Sequence, residues 1–276
     1  MKYDDVMKLA LERGFYFPSC EVYSDAQAGF WEYGPAGVSL KNKFLELWRR
    51  ELVRRDRMIE IDGSQIMSKS VFEASGHLAS FADPIVRCTK CKSTHRADKL
   101  IADITKTEIP ESAGLDEFDK VIAEKNIKCP KCNGNFENAK KFNMMFQVGI
   151  GPEGEPAYLR PETCQSIFVD FPRLFKTMRG KLPLGIAQTG KSFRNEIAPR
   201  QSLLRLREFY QAEIEVFCNP ARLNDLDKFS EIQNTKIPIQ IDNEIKIMTC
   251  KEAVDSKTIP NKFVSYYLGI LAEFYE

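Results

Sequence analysis

Between positions 207 and 217 the chain alternates. Tyr210, Ala212, Ile214 and Val216 fall on one face of an extended segment, and Phe209, Gln211, Glu213 and Glu215 fall on the other. That period of two predicts a half-buried strand. A second strand is predicted over 184–196, joined to the first by an arginine-rich loop. Shorter strands are predicted at 58–66 and 156–160, and "KIPIQIDNEIKIM" at 236–248 reads as a hairpin turning at Asp242-Asn243. Helical spacing appears elsewhere. Val6, Leu9 and Ala10 predict a helix over 3–13 that Gly14 ends. Phe44, Leu47, Trp48 and Leu52 predict one over about 36–55. Ile167, Phe168, Phe171, Leu174 and Phe175 predict another, kinked at Pro172, and Val264, Tyr267, Leu268 and Leu271 one from about 260. "GFWEYGPAG" at 29–37 reads as a turn-rich aromatic loop, and 88–132 differs enough from its flanks to read as an insertion.

Composition adds little. Lys and Arg number 40 against 39 Asp and Glu in 276 residues, so net charge points to no partner. A nucleic-acid contact would need local patches. Arg49, Arg50, Arg54 and Arg55 form one such patch, readable as a solvated helix end or as a subunit or RNA contact. No run of 18 apolar residues exists, which predicts no membrane span. The charged N-terminus is unlike a signal peptide, and the cytoplasm is the expected compartment.

The eight cysteines sharpen the reading. Cys88-Thr-Lys-Cys91 and Cys129-Pro-Lys-Cys132 are two CxxC knuckles, 37 residues apart. Two knuckles can complete a tetrahedron of thiolates around Zn²⁺, and four sulfurs leave no open position, so the predicted metal is structural. Lys90, Lys92, Lys128 and Lys131 are expected to favour the thiolates. A redox pair or free thiols, or His95 in place of one cysteine, are the alternatives.

If the strands 184–196 and 207–217 pair, one face could carry Arg194, Glu196, Phe209 and Glu213. Such a face suits a nucleoside triphosphate. Arginine matches phosphate oxygens, an aromatic ring stacks on a base, and a carboxylate accepts from an exocyclic amine. Loop arginines Arg200, Arg205 and Arg207 could reach outer phosphates. The alternative is an exposed ribbon with surface ion pairs worth ~0–1 kcal/mol each.

"FRNE", a loop and then "REF" resemble motif 2 of the class II aminoacyl-tRNA synthetases. "GFWEYGPAGVSLKNKFLELWRRELV…EIDGSQI" resembles motif 1 as glycyl-tRNA synthetases carry it, with Pro35 at the start. "LRPETCQSIF" and "AEIEVF" are similar to the same family, and the knuckles between the motifs resemble its archaeal branch. The resemblance implies an α+β fold: a class II synthetase-type antiparallel sheet flanked by helices, with a zinc-ribbon-like insertion. It implies catalytic core at 1–87 and 133–218, the zinc insertion at 88–132, and an insertion with a truncated helical segment at 219–276.

By resemblance, Arg194 holds the ATP α-phosphate, Arg205 the γ-phosphate, Phe209 stacks on adenine and Glu196 accepts from its amine. Glu162 and Glu213 bind the ammonium of glycine. The resemblance also implies ATP with Mg²⁺, tRNA(Gly), and a homodimer through residues 36–66 of the full-length parent. Motif 3, the anticodon-binding domain and a third carboxylate of the glycine pocket are expected beyond Glu276. The catalytic domain is therefore expected to be incomplete and its isolated activity weak. Two other readings are a non-catalytic, zinc-stapled RNA-binding or subunit-docking module, and an amino-acid adenylating enzyme that does not act on tRNA.

Overall fold

The computed structural model describes residues 2–110, 113–199 and 202–276. Helix α1 (Tyr3–Glu12) leads to β1 (Tyr16–Pro18) and β2 (Trp31–Tyr33). Helix α2 (Pro35–Trp48) starts with Pro35 in its first turn, where the missing N–H costs nothing, and runs into a wider π-helical turn at Arg49–Val53. Strands β3 (Ile59–Ile61) and β4 (Ile66–Ser68), helices α3 (Lys69–Ala74) and α4 (His77–Ser80), and strands β5 (Ala82–Arg87) and β6 (Thr94–Arg96) follow. Next come α5 (Ala97–Thr105), α6 (Leu115–Glu124), β7 (Lys140–Asn143), β8 (Phe146–Ile150) and β9 (Glu155–Leu159). Helix α7 (Cys164–Thr177) contains Pro172 and precedes the long ribbon β10 (Leu184–Phe193) and β11 (Glu208–Phe217). Helix α8 (Phe229–Ile232), hairpin β12 (Lys236–Ile241) and β13 (Glu244–Thr249), and helices α9 (Cys250–Asp255) and α10 (Lys262–Tyr275) complete the order.

Strands β10 and β11 pair antiparallel over their full length, with Ser192 opposite Phe209 and Gln188 opposite Glu213. The register gives the ribbon two faces. Ala187, Ala212 and Ile214 pack on one side with Trp48, Leu52, Ile232, Tyr266 and Ile270, the main core. The other side carries Gln188, Ser192, Phe209 and Glu213. The segment at 58–66 is not one strand. Ile59–Ile61 pairs parallel to β10, while Ile66–Ser68 joins a separate sheet ordered β4-β9-β8. The architecture is nonetheless the α+β arrangement expected, largely antiparallel sheets with flanking helices.

Other expectations meet differences. Trp31–Tyr33, read as loop, pairs with Tyr16–Pro18. In α2, Trp48 is buried but Phe44 is 47% exposed. In α10 the buried residues are Ser265, Tyr266, Gly269 and Ile270, while Val264, Leu268 and Leu271 face outward and Tyr267 packs at the core's margin. The arginines after α2 are engaged within the chain: Arg49 with Glu60, Arg50 with Glu51, Arg54 with Glu46 and Arg55 with Glu273. The hairpin turns at Asp242, whose φ is +56°. A second core of Val86, Ala97, Leu100, Ile101, Phe118, Ile127 and Ala139 lies under the sheet β6-β5-β7. No helix among the described residues is long and apolar enough to cross a membrane.

Candidate functional site

The functional face of the ribbon is built on buried polar groups. Arg160 ends the approach from β9 and is fully buried. Its Nε donates to the Lys191 carbonyl at 2.9 Å and its Nη1 to the Gly63 carbonyl at 3.0 Å. Burial lowers its pKa, opposed by the nearby charges of Asp62 and Glu213. A Cβ at position 190 would collide with this guanidinium, so Gly190 is what lets Arg160 cross the sheet. Arg160 Nη2, Gln165 Oε1, both amide atoms of Gln188, Ser192 Oγ and Gln211 Oε1 are buried without a protein partner. Interior polar groups are normally satisfied. Gln188, Ser192 and Gln211 share the ribbon face that carries Phe209 and Glu213.

Arg194 stands at the end of this face. Its backbone N–H donates to the Arg207 carbonyl and its Nε to the Pro161 carbonyl at 3.1 Å. The guanidinium carbon lies 5.4 Å from the Phe209 ring centre and 5.5 Å from that of Phe81. Arg194 and Phe209 are thus together, as expected. Glu196 is not a simple continuation of the alternation, because β10 ends at Phe193 and a tight turn follows, with Glu196 N–H on the Arg194 carbonyl. Glu196 instead accepts from Arg205 Nε at 2.7 Å, while Arg207 Nε holds its carbonyl at 3.0 Å. Arg205 and Glu196 are therefore paired, and Arg207 braces the loop. Arg200 lies outside the described residues.

The acidic end gathers around the start of α7. Glu162, Cys164 and Glu213 present atoms within 4.8 Å of one another. Glu213 accepts from Thr163 N–H at 2.9 Å and from the Thr163 hydroxyl. Glu162 accepts from Gln165 Nε2 at 2.7 Å, lies 3.3 Å from His77 Nε2 and 4.0 Å from Arg194 Nη2. Burial pushes the Cys164 thiol up, with Glu162 adding to it, so this sulfur is a neutral wall rather than a nucleophile. Glu162 and Glu213 are close enough to share one ammonium ion.

Sequence reasoning missed Glu215, Phe81, His77 and the buried amides. Glu215 was within reach, since it alternates with Glu213 on the same face. Its carboxyl is pushed up by burial first, then by Glu213 and Glu162. A raised carboxyl means the folded state keeps a proton that the unfolded state loses. Stability therefore falls as pH rises from the unfolded value, about 4.3, through the folded one. Glu215→Gln is expected to raise the melting midpoint by roughly 1–3 °C at pH 7 and to change nothing near pH 3, read by thermal denaturation.

The cysteines form a second centre. Cys88 and Cys132 Sγ are 3.5 Å apart, Cys91 and Cys129 Sγ 3.7 Å, and all four lie within 4.8 Å of one another. A tetrahedral zinc with bonds of about 2.3 Å requires sulfurs about 3.8 Å apart, so the set fits. The two knuckles share one backbone pattern. Lys92 N–H returns to the Cys88 carbonyl and Asn133 N–H to that of Cys129, both with positive φ. Gly134 leaves room for the Cys88 and Cys132 sulfurs, which a Cβ would crowd at 3.0 and 3.3 Å.

Of the four lysines beside the knuckles, Lys92 pairs with Glu137 and Lys128 with Asn135. The thiolates are favoured by Ser93 instead. Its hydroxyl lowers Cys91 to about 6 and Cys129 to about 7, while burial raises Cys132 to about 11. His95 Nε2 lies 3.0 Å from Ser93 Oγ and 3.7 Å from Cys129 Sγ, beside the sulfurs rather than replacing one.

The family model described as tRNA synthetase class II core domain (G, H, P, S and T) matches residues 146–236, the segment that holds Arg194, Phe209, Glu162 and Glu213. The glycine–tRNA ligase of Methanothrix thermoacetophila is 41% identical over 99% of this chain and 48% of its own length. That of Pyrococcus abyssi is 43% identical over 98% of this chain and 48% of its own. The RNA binding domain of the threonyl-tRNA synthetase of Cryptosporidium parvum Iowa II superposes with a TM-score of 0.48 and 20% identity, over 81% of this chain and 39% of that one. The chain spans about half the length of the curated relatives it matches. Over nearly its whole length this chain is similar to glycine–tRNA ligases, and its residues 146–236 match the class II tRNA synthetase core model.

Proposed function

We propose that this chain holds the ATP- and glycine-binding face of a glycine–tRNA ligase. One observation carries the reading: Arg194 lies over Phe209 and 4.0 Å from Glu162, which with Glu213 forms a carboxylate pair within 4.8 Å. That grouping suits one ligand that carries a base, phosphates and an ammonium. Phe209 stacks on adenine and Arg194 grips the α-phosphate. Glu196 turns toward the adenine amine and Arg205 toward the γ-phosphate once ATP separates their pair. ATP arrives with Mg²⁺, which offsets phosphate charge. The carboxylate oxygen of glycine attacks the α-phosphorus, and the bond to the β-phosphate oxygen breaks to release pyrophosphate. Arg194 faces the charge that builds on the way. A hydroxyl of the tRNA(Gly) terminus then attacks the glycyl carbonyl, and AMP departs.

Selection for glycine is by exclusion. Glu162, Glu213 and the Cys164 wall crowd the ammonium, leaving no room for a methyl group. The four cysteines hold Zn²⁺ as a staple for 88–132, read as an insertion between core segments 1–87 and 133–218. The same reading places the protein in the cytoplasm and, in its full-length form, as a dimer through 36–66. Calorimetric titration with a sulfamoyl analogue of glycyl-adenylate is expected to show one saturable site, with the alanyl analogue at least about tenfold weaker. Equal binding of the two, or binding of neither, returns the chain to the reading of a non-catalytic module.

A further inference from the structure

Beside the triphosphate end lies a second arginine network. Arg96, on β6, donates from Nε to Asp98 Oδ1 at 3.1 Å and from Nη2 to Asp98 Oδ2 at 2.7 Å. Its Nη1 lies 2.9 Å from Asp83 Oδ2 on β5, an ion contact that falls short of hydrogen-bond geometry. The three side chains are almost buried, at 12%, 8% and 8% exposure. Burial pushes the Asp83 carboxyl up. Arg96 is the main opposing charge, and Asp98, Glu196 and Arg205 also act on it. Arg96 and Arg205 line one cleft of about 520 Å³, with Lys99, Lys131 and Ala198. The strand bearing Arg96 follows the first knuckle directly, and its neighbour His95 rests against Cys129 Sγ.

We infer that Arg96 is a positioning residue: by occupying Asp83 and Asp98 it leaves Arg205 to Glu196, and so ties the four-cysteine module to the triphosphate end of the site. The physical reason is competition. A buried carboxylate that loses its cation is strongly uncompensated and captures the next one available. The next arginine on that cleft is Arg205, which is long and 35% exposed. Without Arg96, Arg205 swings to Asp83 and no longer reaches a phosphate. The inference rests on the assignment of Arg205 to ATP, and its test separates the two.

Affinity for Mg·ATP is measured by calorimetry, and zinc by metal analysis, on the whole chain. Arg96→Met is expected to weaken ATP roughly tenfold with zinc unchanged. Asp83→Asn alone leaves ATP affinity as it was, and Arg96→Met with Asp83→Asn restores it, because Asp83 is the carboxylate on which Arg205 acts, whereas Asp98 keeps Lys99 beside it. A double variant as weak as Arg96→Met, or an Arg96→Met that binds ATP normally while Arg205→Ala does not, overturns the inference. Arg205→Ala with unchanged ATP affinity overturns the phosphate assignment itself, and the inference with it. Should Arg96→Met not fold, the triple variant Asp83→Asn, Arg96→Met, Asp98→Asn buries no charge and takes its place. Wild-type ATP affinity then supports the inference, and a loss of about tenfold overturns it.

Discussion

Arg194→Ala is expected to cut glycine-dependent exchange of pyrophosphate into ATP by about 10²–10³-fold, as loss of one preorganised donor does, and to weaken ATP binding roughly 30-fold. The residue has no strong structural duty to confound this. Its Nε holds one carbonyl, that of Pro161, and its plane rests between Phe81 and Phe209. The side chain is 34% exposed, and its ion contact to Glu162 is long, at 4.0 Å. Those contacts orient the guanidinium without consuming it, which is the arrangement of a group awaiting an anion. Arg194→Lys keeps the charge but loses the fork and the stacking, so it should fall between wild type and alanine. Zinc content and melting midpoint should stay at wild-type values in both. If either falls in step with activity, Arg194 is a folding residue and the phosphate reading fails.

The ribbon was legible because its chemistry and its alternation agree. Ala212 and Ile214 had to face a core, so Phe209, Glu213 and Glu215 had to face away, and register then brought Arg194 beside Phe209. The pairing of Glu162 with Glu213 was legible only through the resemblance, since nothing in spacing joins a helix start to a distant strand. The buried amides were not legible at all. Gln188 and Ser192 occupy positions where alternation would place solvent-facing residues, yet both are fully buried.

Helix stripes gave a similar lesson. Periodicity tells which face is apolar and not whether a neighbour covers it. Phe44 and Leu268 lie on such stripes and are exposed. In α10 the close approach is made by Gly269, where an added Cβ would meet Cys250 Sγ at 2.8 Å. The buried face thus mixes Ser265 and Gly269 with Tyr266 and Ile270, a set that hydrophobic periodicity does not single out. The strand Trp31–Tyr33 was hidden between Gly29 and Gly34, because three residues paired to a distant partner leave no local signature.

Stripping the metal is expected to have the largest effect on the fold. A chelator strong enough to empty the four-cysteine centre should release the hydrogen-exchange protection of β5, β6, α5 and α6. Protection in α9, α10 and the hairpin β12–β13 should persist. Among the described residues the second core has seven buried apolar side chains, and a body of that size rarely supplies more than about 3–5 kcal/mol by itself. Structural zinc in comparable knuckles supplies an apparent value of about 10–16 kcal/mol, so a metal held there, and not the core, would decide whether the module is folded. The same balance makes the centre sensitive to acid. Each thiol must give up its proton to hold a metal. Proton competition should therefore release zinc on acidification, with the module opening before the main core. Exchange protection that survives verified metal loss would show that the knuckles hold their shape without an ion, and the structural role assigned to them would be withdrawn.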